Sequence, residues 1–149
     1  MMAREYRLGT LRKTVNALVK PLLARGVPAA GKGGVLLTTK GRKSGLERTT
    51  PVNVVEAGGD RWLVAPYGAV AWVHNLRADA VARLSRGRKT ETWEVEEADA
   101  ATAAPVLQAY VRQIPVTAPY FDAKGSGPVE AFAAEADRHP VFRLARSRA

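Results

Sequence analysis

Two hydrophobic periods run along the chain, one near the N-terminus and another through the rest. Between Tyr6 and Lys20, Leu8, Leu11, Val15 and Leu18 recur at three- and four-residue steps, and Leu22 continues the stripe. That spacing predicts an amphipathic helix with Arg7, Arg12, Lys13 and Lys20 on its other faces. Pro21 should end or kink it, because proline lacks the N–H and its ring clashes with the preceding turn. A helix of this kind either docks on a core or lies on an anionic membrane surface. The glycine- and proline-bearing stretch GVPAAGKGG follows. Residues 1–30 therefore read as a helix and linker, and residues 31–149 as the domain proper.

From Gly34 onward the pattern turns to short runs rich in Val, Leu and Thr. Gly34–Thr39 and Thr49–Glu56 predict a β-hairpin around the loop GRKSGLER. A Gly-Gly-Asp turn leads to a third strand over Arg61–Ala65, and Arg86-Gly87-Arg88 closes another hairpin, Val81–Arg86 with Thr90–Glu97. Helices are expected over Ala71–Asp79, Asp99–Arg112 and about Val129–Ala136, with a proline-bearing loop at Pro115 and Pro119 and a last strand at Val141–Leu144. Antiparallel strands with intervening helices, and no regular β-α-β alternation, favour an α+β fold. The expected architecture is a small barrel with helices around it rather than a doubly wound sheet.

Composition narrows the chemistry. The 149 residues contain no cysteine, which removes disulfides and thiolates. The two histidines, His74 and His139, stand far apart, so no zinc site is expected. No run of apolar residues is long enough for a spanning helix, and the N-terminus lacks a secretory h-region, so cytoplasmic residence is the expectation. The net charge of +9 is unevenly placed. Residues 1–50 hold eleven Lys/Arg against two Glu, whereas residues 51–149 hold twelve of each sign. A polyanionic partner for the first third follows: nucleic acid, an anionic membrane or a phosphorylated ligand.

The hairpin loop concentrates that charge. Lys40, Arg42, Lys43 and Arg48 repel one another there unless an anion is held among them. The loop is not G-x-x-x-x-G-K-[ST], since Leu37 and Arg42 stand where glycines are required, and it does not lead into a helix. What remains is a glycine-flexed turn in which Arg42 and Arg48 can fork onto phosphate or carboxylate, Lys43 adds a point charge, and Ser44, Thr49 and Thr50 add hydroxyls. A second stretch, APYGAVAWVHN (Ala65–Asn75), offers small residues beside Tyr67, Trp72, His74 and Asn75, a wall suited to a flat heteroaromatic ring. No Ser/His/Asp or paired-carboxylate constellation is present, so the hard chemistry falls to a cofactor. A loop for an anionic tail and a wall for a ring describe a flavin-like ligand.

LLTTKGRKSGLERTTPV, followed by AWVHNLRA, resembles the deazaflavin-dependent nitroreductase family, actinobacterial oxidoreductases with a split β-barrel (FMN-binding-like) fold. The likeness is strong over about Val35–Leu84, and IPVTAPYFD and RHPVFRL resemble one branch of the family. It implies coenzyme F-420, an 8-hydroxy-5-deazaflavin with a phospholactyl–oligoglutamate tail. It places Arg42, Lys43 and Ser44 on the tail, and Arg48, Thr49, Thr50, Pro51, Val52 and Asn53 beside tail and ring. Ala65, Pro66, Tyr67 and Gly68 would border the ring, and Ala71, Trp72, Val73, His74 and Asn75 would close it. Tyr67, Tyr110 and Tyr120 fall on the substrate side, with Tyr67 a candidate proton donor. The implied reaction is hydride transfer to an electron-poor acceptor such as a quinone, an activated alkene or a nitro compound. Split barrels of this kind are often homodimers. The segment before Trp72 is shorter than in nitroimidazole-reducing members, and Pro66-Tyr67 stands where those carry small or serine residues, so the acceptor stays open.

Two other readings remain at this point. One is an FMN- or haem-type binder on the same barrel, acting as an oxidoreductase or carrier. The other is a basic nucleic-acid-binding module, against which the loop lacks neighbouring exposed aromatics for base stacking.

Overall fold

The computed structural model describes residues 34–148, and the helix expected over Tyr6–Lys20 lies outside the described residues. Six strands form a closed antiparallel barrel: β1 (Gly34–Lys40), β2 (Glu47–Ala57), β3 (Asp60–Val64), β4 (Val81–Arg86), β5 (Lys89–Glu97) and β6 (Val141–Arg148). Their order around the barrel is β1-β2-β3-β6-β5-β4, with β4 pairing back onto β1. Three helices, α1 (Ala71–Ala78), α2 (Ala100–Gln113) and α3 (Val129–Ala133), and two 3-10 turns (Pro115–Tyr120 and Ala136–Arg138) fill the connections. No helix among the described residues is long and apolar enough to cross a membrane.

Local chemistry sets the hairpins. Gly58 and Gly59, at φ +62° and +84°, make the two-residue turn between β2 and β3. Their backbone twist matches that of the flanking strands. Gly87 at φ +61° does the same between β4 and β5. Asp99 caps α2 by accepting from the Thr102 N–H at 2.8 Å.

Period-two alternation then divides the strands between two cores. Trp62, Val64 and Val141 face outward onto Ala103, Leu107, Tyr110 and Phe132 of the helical layer. Their neighbours Leu63 and Phe142 face inward with Leu37, Leu84, Val95 and Leu144. Trp72, Val73 and Leu76 of α1 join this inner core, so the helix is seated against the barrel and carries its first turn past the β1–β2 loop. β6 runs to Arg148, four residues beyond the stretch that its apolar pattern predicts. Its exposed end pairs with β5, where Thr92 faces Arg148, so ladder bonds rather than burial hold that end. The stretch around Pro115 and Pro119, expected as a loop, is a 3-10 turn.

Candidate active site

The β1–β2 loop is narrower than the sequence suggests: Lys40 pairs with Glu47, leaving Gly41–Leu46 to make the turn. The Gly41 N–H donates to the Leu46 carbonyl at 2.7 Å and the Gly45 N–H to the Gly41 carbonyl at 2.8 Å. A Cβ on Gly41 would stand 2.9 Å from that Leu46 oxygen and 3.0 Å from Ser44 Oγ, so only glycine fits. Gly45 takes φ +72°, the left-handed region. The Ser44 hydroxyl accepts from the Leu46 N–H at 3.1 Å, which ties it to the turn and leaves its O–H to donate.

Asn75, 2 % exposed on α1, ties the loop down from 33 residues away. Its Oδ1 accepts from the Arg42 backbone N–H at 3.2 Å and from Arg42 Nη1 at 3.1 Å. Its Nδ2 donates to Thr39 Oγ1 at 3.1 Å. The second half of the AWVHN motif is thus an anchor for the basic loop as well as part of the site wall.

Loop, β2 and α1 enclose a cavity of about 750 Å³ lined by Thr39, Gly41, Arg42, Lys43, Ser44, Arg48, Thr49, Thr50, Tyr67, Ala69, Val70, Ala71, Trp72 and Asn75. Ten of these residues were expected from the sequence. Thr39, Gly41, Ala69 and Val70 were not among the expected contacts, although Gly41 belongs to the glycine-flexed turn and Ala69 and Val70 lie within the APYGAVAWVHN stretch. Pro51, Val52, Asn53, Ala65, Pro66, Gly68, Val73 and His74 do not line it. Ala65 and Val73 are buried in the inner core, because the strand and helix periods turn them away from the cavity. His74 sits on the exposed face of α1, and Pro66 and Gly68 flank Tyr67 in its turn.

The electrostatics of the lining are one-sided. Glu47, the one acid beside the loop, is taken by Arg83 in a two-pronged pair at 2.9 Å. That pairing holds the Glu47 carboxyl below its usual range. Arg61, Arg77, Arg138, Arg143, Arg146 and Arg148 also have carboxylate partners. Among the described residues Lys40, Arg42, Lys43 and Arg48 have none. Three of these four unpaired cations line the cavity.

The lining is also aromatic. Trp72, 7 % exposed, is braced by Phe142 with ring centroids 5.9 Å apart. Tyr67 and Tyr120 meet edge to face at 4.6 Å. Tyr110 lies behind them, 3 % exposed. Burial, and then the neighbouring Tyr67, push its hydroxyl well above the ordinary phenol range, while a hydrogen bond with Asn53 acts the other way. Tyr110 therefore stays a protonated phenol. Among the described residues the buried Asn53 Oδ1 has no hydrogen-bond partner. No group of three or more His, Cys, Asp or Glu among the described residues could hold a metal ion.

The residues present fit a ligand with an anionic end and a flat ring. Cations and hydroxyls, the rings of Trp72 and Tyr67, and the small Ala69 and Ala71 together line the cavity. A closed barrel with such a cavity is that of a split-barrel oxidoreductase that works through a flavin-type cofactor. The family model of the F420-H(2)-dependent quinone reductases matches residues 11–126, and the chain belongs to that family.

Solved structures agree on the fold. An F420-H2 dependent reductase (FDR-A) is 25 % identical at a TM-score of 0.50, over 76 % of this chain and 95 % of that one. A NimC/NimA family protein from Clostridium acetobutylicum is 15 % identical at 0.55, over 93 % and 90 %. A putative pyridoxamine 5'-phosphate oxidase from Listeria innocua is 8 % identical at 0.53, over 93 % and 96 %, a likeness of fold alone.

Proposed function

We propose that this protein reduces a small electron-poor acceptor, a quinone or an activated alkene, with coenzyme F-420 held by its oligoglutamate tail on the basic loop. The observation that carries this reading is the set of three cavity-lining cations, Arg42, Lys43 and Arg48, that no carboxylate of the described chain neutralises. Arg42 and Arg48 suit the paired oxygens of phosphate and carboxylate, and Lys43 supplies a mobile point charge. Trp72 offers its ring as the wall for the deazaflavin plane.

When bound in its reduced form, the coenzyme supplies a hydride, a two-electron transfer to the acceptor. The chain's own contribution is placement and a proton. The basic loop, locked by Asn75, fixes the tail and thereby the ring. Tyr67, at the cavity wall, donates the proton that completes reduction, directly or through a water it orients. Tyr120 braces Tyr67 edge-on, and the buried Tyr110 phenol, kept neutral, backs it without adding charge.

Titration of the purified protein with coenzyme F-420 and, separately, with FMN tests the reading, followed by quenching of Trp72. Micromolar or tighter deazaflavin binding, lost in Arg42→Ala/Lys43→Ala, is expected. A preference for FMN, or deazaflavin binding unchanged in that double variant, would remove the tail site from the account.

A further inference from the structure

One buried titratable pair has no part in binding or transfer as described above. Glu135 and His139, 2 % and 3 % exposed, face each other across one helical step. His139 Nδ1 lies 2.9 Å from the Pro66 carbonyl oxygen. A carbonyl only accepts, so Nδ1 carries a proton. Nε2 lies 2.8 Å from Glu135 Oε1, and one proton must sit between these two atoms.

The carboxylate is held in turn by its surroundings. Glu135 accepts from the Asp122 N–H at 3.1 Å to each oxygen and from the Ala123 N–H at 2.7 Å. The Arg138 guanidinium stands 3.9 Å from Oε1. Three backbone contacts and a nearby cation fix its place beside the ring. Phe121 stacks on the ring at 4.0 Å and 30°, which fixes its plane.

Each end of the pair holds a segment that carries a tyrosine: Tyr67, which lines the cavity, and Tyr120, which packs on it. Pro66 immediately precedes Tyr67, and the same turn is tied again by the Ala65 N–H donating to the Pro140 carbonyl at 2.9 Å. Asp122 and Ala123 closely follow Tyr120. The two segments are far apart in sequence, yet their tyrosines meet at 4.6 Å. Among the hydrogen bonds between side chains and backbone, the Glu135–His139 bridge joins these segments.

We propose that the Glu135–His139 pair is a positioning device that holds Tyr67 against Tyr120 on the acceptor side of the cavity. The proposal rests on the reading of Tyr67 as an acceptor-side residue. Cutting the bridge at either end frees the Pro66–Tyr67 turn from the segment that follows Tyr120, and the acceptor wall loosens with it.

Two variants and a readout that needs no turnover test this. Glu135→Gln keeps the shape: its amide oxygen accepts from Asp122 and Ala123, and its NH₂ donates to His139 Nε2, so the bridge persists. His139→Phe keeps the stack on Phe121 and removes both hydrogen bonds. With menadione as the acceptor probe, KM in Glu135→Gln should stay within about twofold of wild type. In His139→Phe, KM should be raised roughly tenfold, with coenzyme F-420 affinity within about twofold of wild type.

The Tyr67–Tyr120 ring contact, read as an NMR cross-relaxation peak in the coenzyme-free protein, should follow the same order. It should weaken in His139→Phe and persist in Glu135→Gln. A ring contact and a KM unmoved by His139→Phe would overturn the proposal. Should His139→Phe not fold, Glu135→Leu, which cuts the bridge at its other end, replaces it, and an unmoved ring contact there would overturn the proposal alone. Wild-type protein that fails to bind coenzyme F-420 would instead sink the functional reading and leave the ring-contact test standing.

Discussion

Replacing Asn75 by leucine should weaken cofactor binding through the loop rather than through a lost ligand contact. The substitution nearly conserves volume at a site only 2 % exposed, so the seat of α1 against the barrel should survive. It removes the two bonds that Oδ1 accepts from Arg42 and the one that Nδ2 donates to Thr39. A neutral hydrogen bond contributes about 1 kcal/mol net, and one to a charged group ~1.5–3 kcal/mol. Arg42 is exposed and regains water, so a net loss of about 2 kcal/mol of loop order is a fair figure. If tail binding needs the ordered loop, that loss appears in affinity as roughly a 30-fold rise in Kd. Titration with coenzyme F-420 at fixed ionic strength, followed by Trp72 fluorescence, reads it directly. Thr39→Val, which removes the Nδ2 contact alone, should cost about 1 kcal/mol, or roughly fivefold. A folded Asn75→Leu protein with a Kd within about twofold of wild type would refute the reasoning, because the loop would then hold its shape without its anchor.

Three other outcomes follow from the same geometry. Gly41→Ala should force the loop open, since its Cβ would meet the Leu46 carbonyl at 2.9 Å. A loss of about 1–3 kcal/mol in denaturant unfolding and weaker deazaflavin binding are expected, and wild-type affinity would contradict the tight turn. Tyr67→Phe keeps the edge-on packing and removes the hydroxyl, so kcat should fall with coenzyme affinity intact. Unchanged turnover would rule Tyr67 out as proton donor. Glu91 is held below the usual carboxylate range first by the Trp93 indole N–H at 2.9 Å and then by Arg61 at 3.0 Å. Because its folded-state value is the lower one, its stabilisation is present above the unfolded range and is lost as pH falls through the folded value. Acid unfolding of Glu91→Gln should accordingly show a shallower stability loss below about pH 5 than wild type; identical acid profiles would count against the coupling.

What the chain alone determined is what local chemistry controls. Glycines at positive φ, two-residue turns and period-two runs set the β2–β3 and β4–β5 hairpins, and an aspartate cap with a three-to-four apolar step set α2. Those signals lie within a few residues of one another, so no distant partner is needed to read them. The basic loop was legible for the same reason: its cations crowd a stretch of nine residues.

Only the tertiary structure decided which of those cations stay free. Glu47 is adjacent in sequence, but the β1–β4 pairing that closes the barrel brings Arg83 to it and leaves Arg42, Lys43 and Arg48 without a carboxylate. Closure likewise set Asn75 under the loop, turned His74 outward, and brought Pro66 to His139 across 73 residues. Long-range pairings of this kind depend on which strand edges meet and which faces they bury, and the period of any one segment carries no record of its distant neighbour.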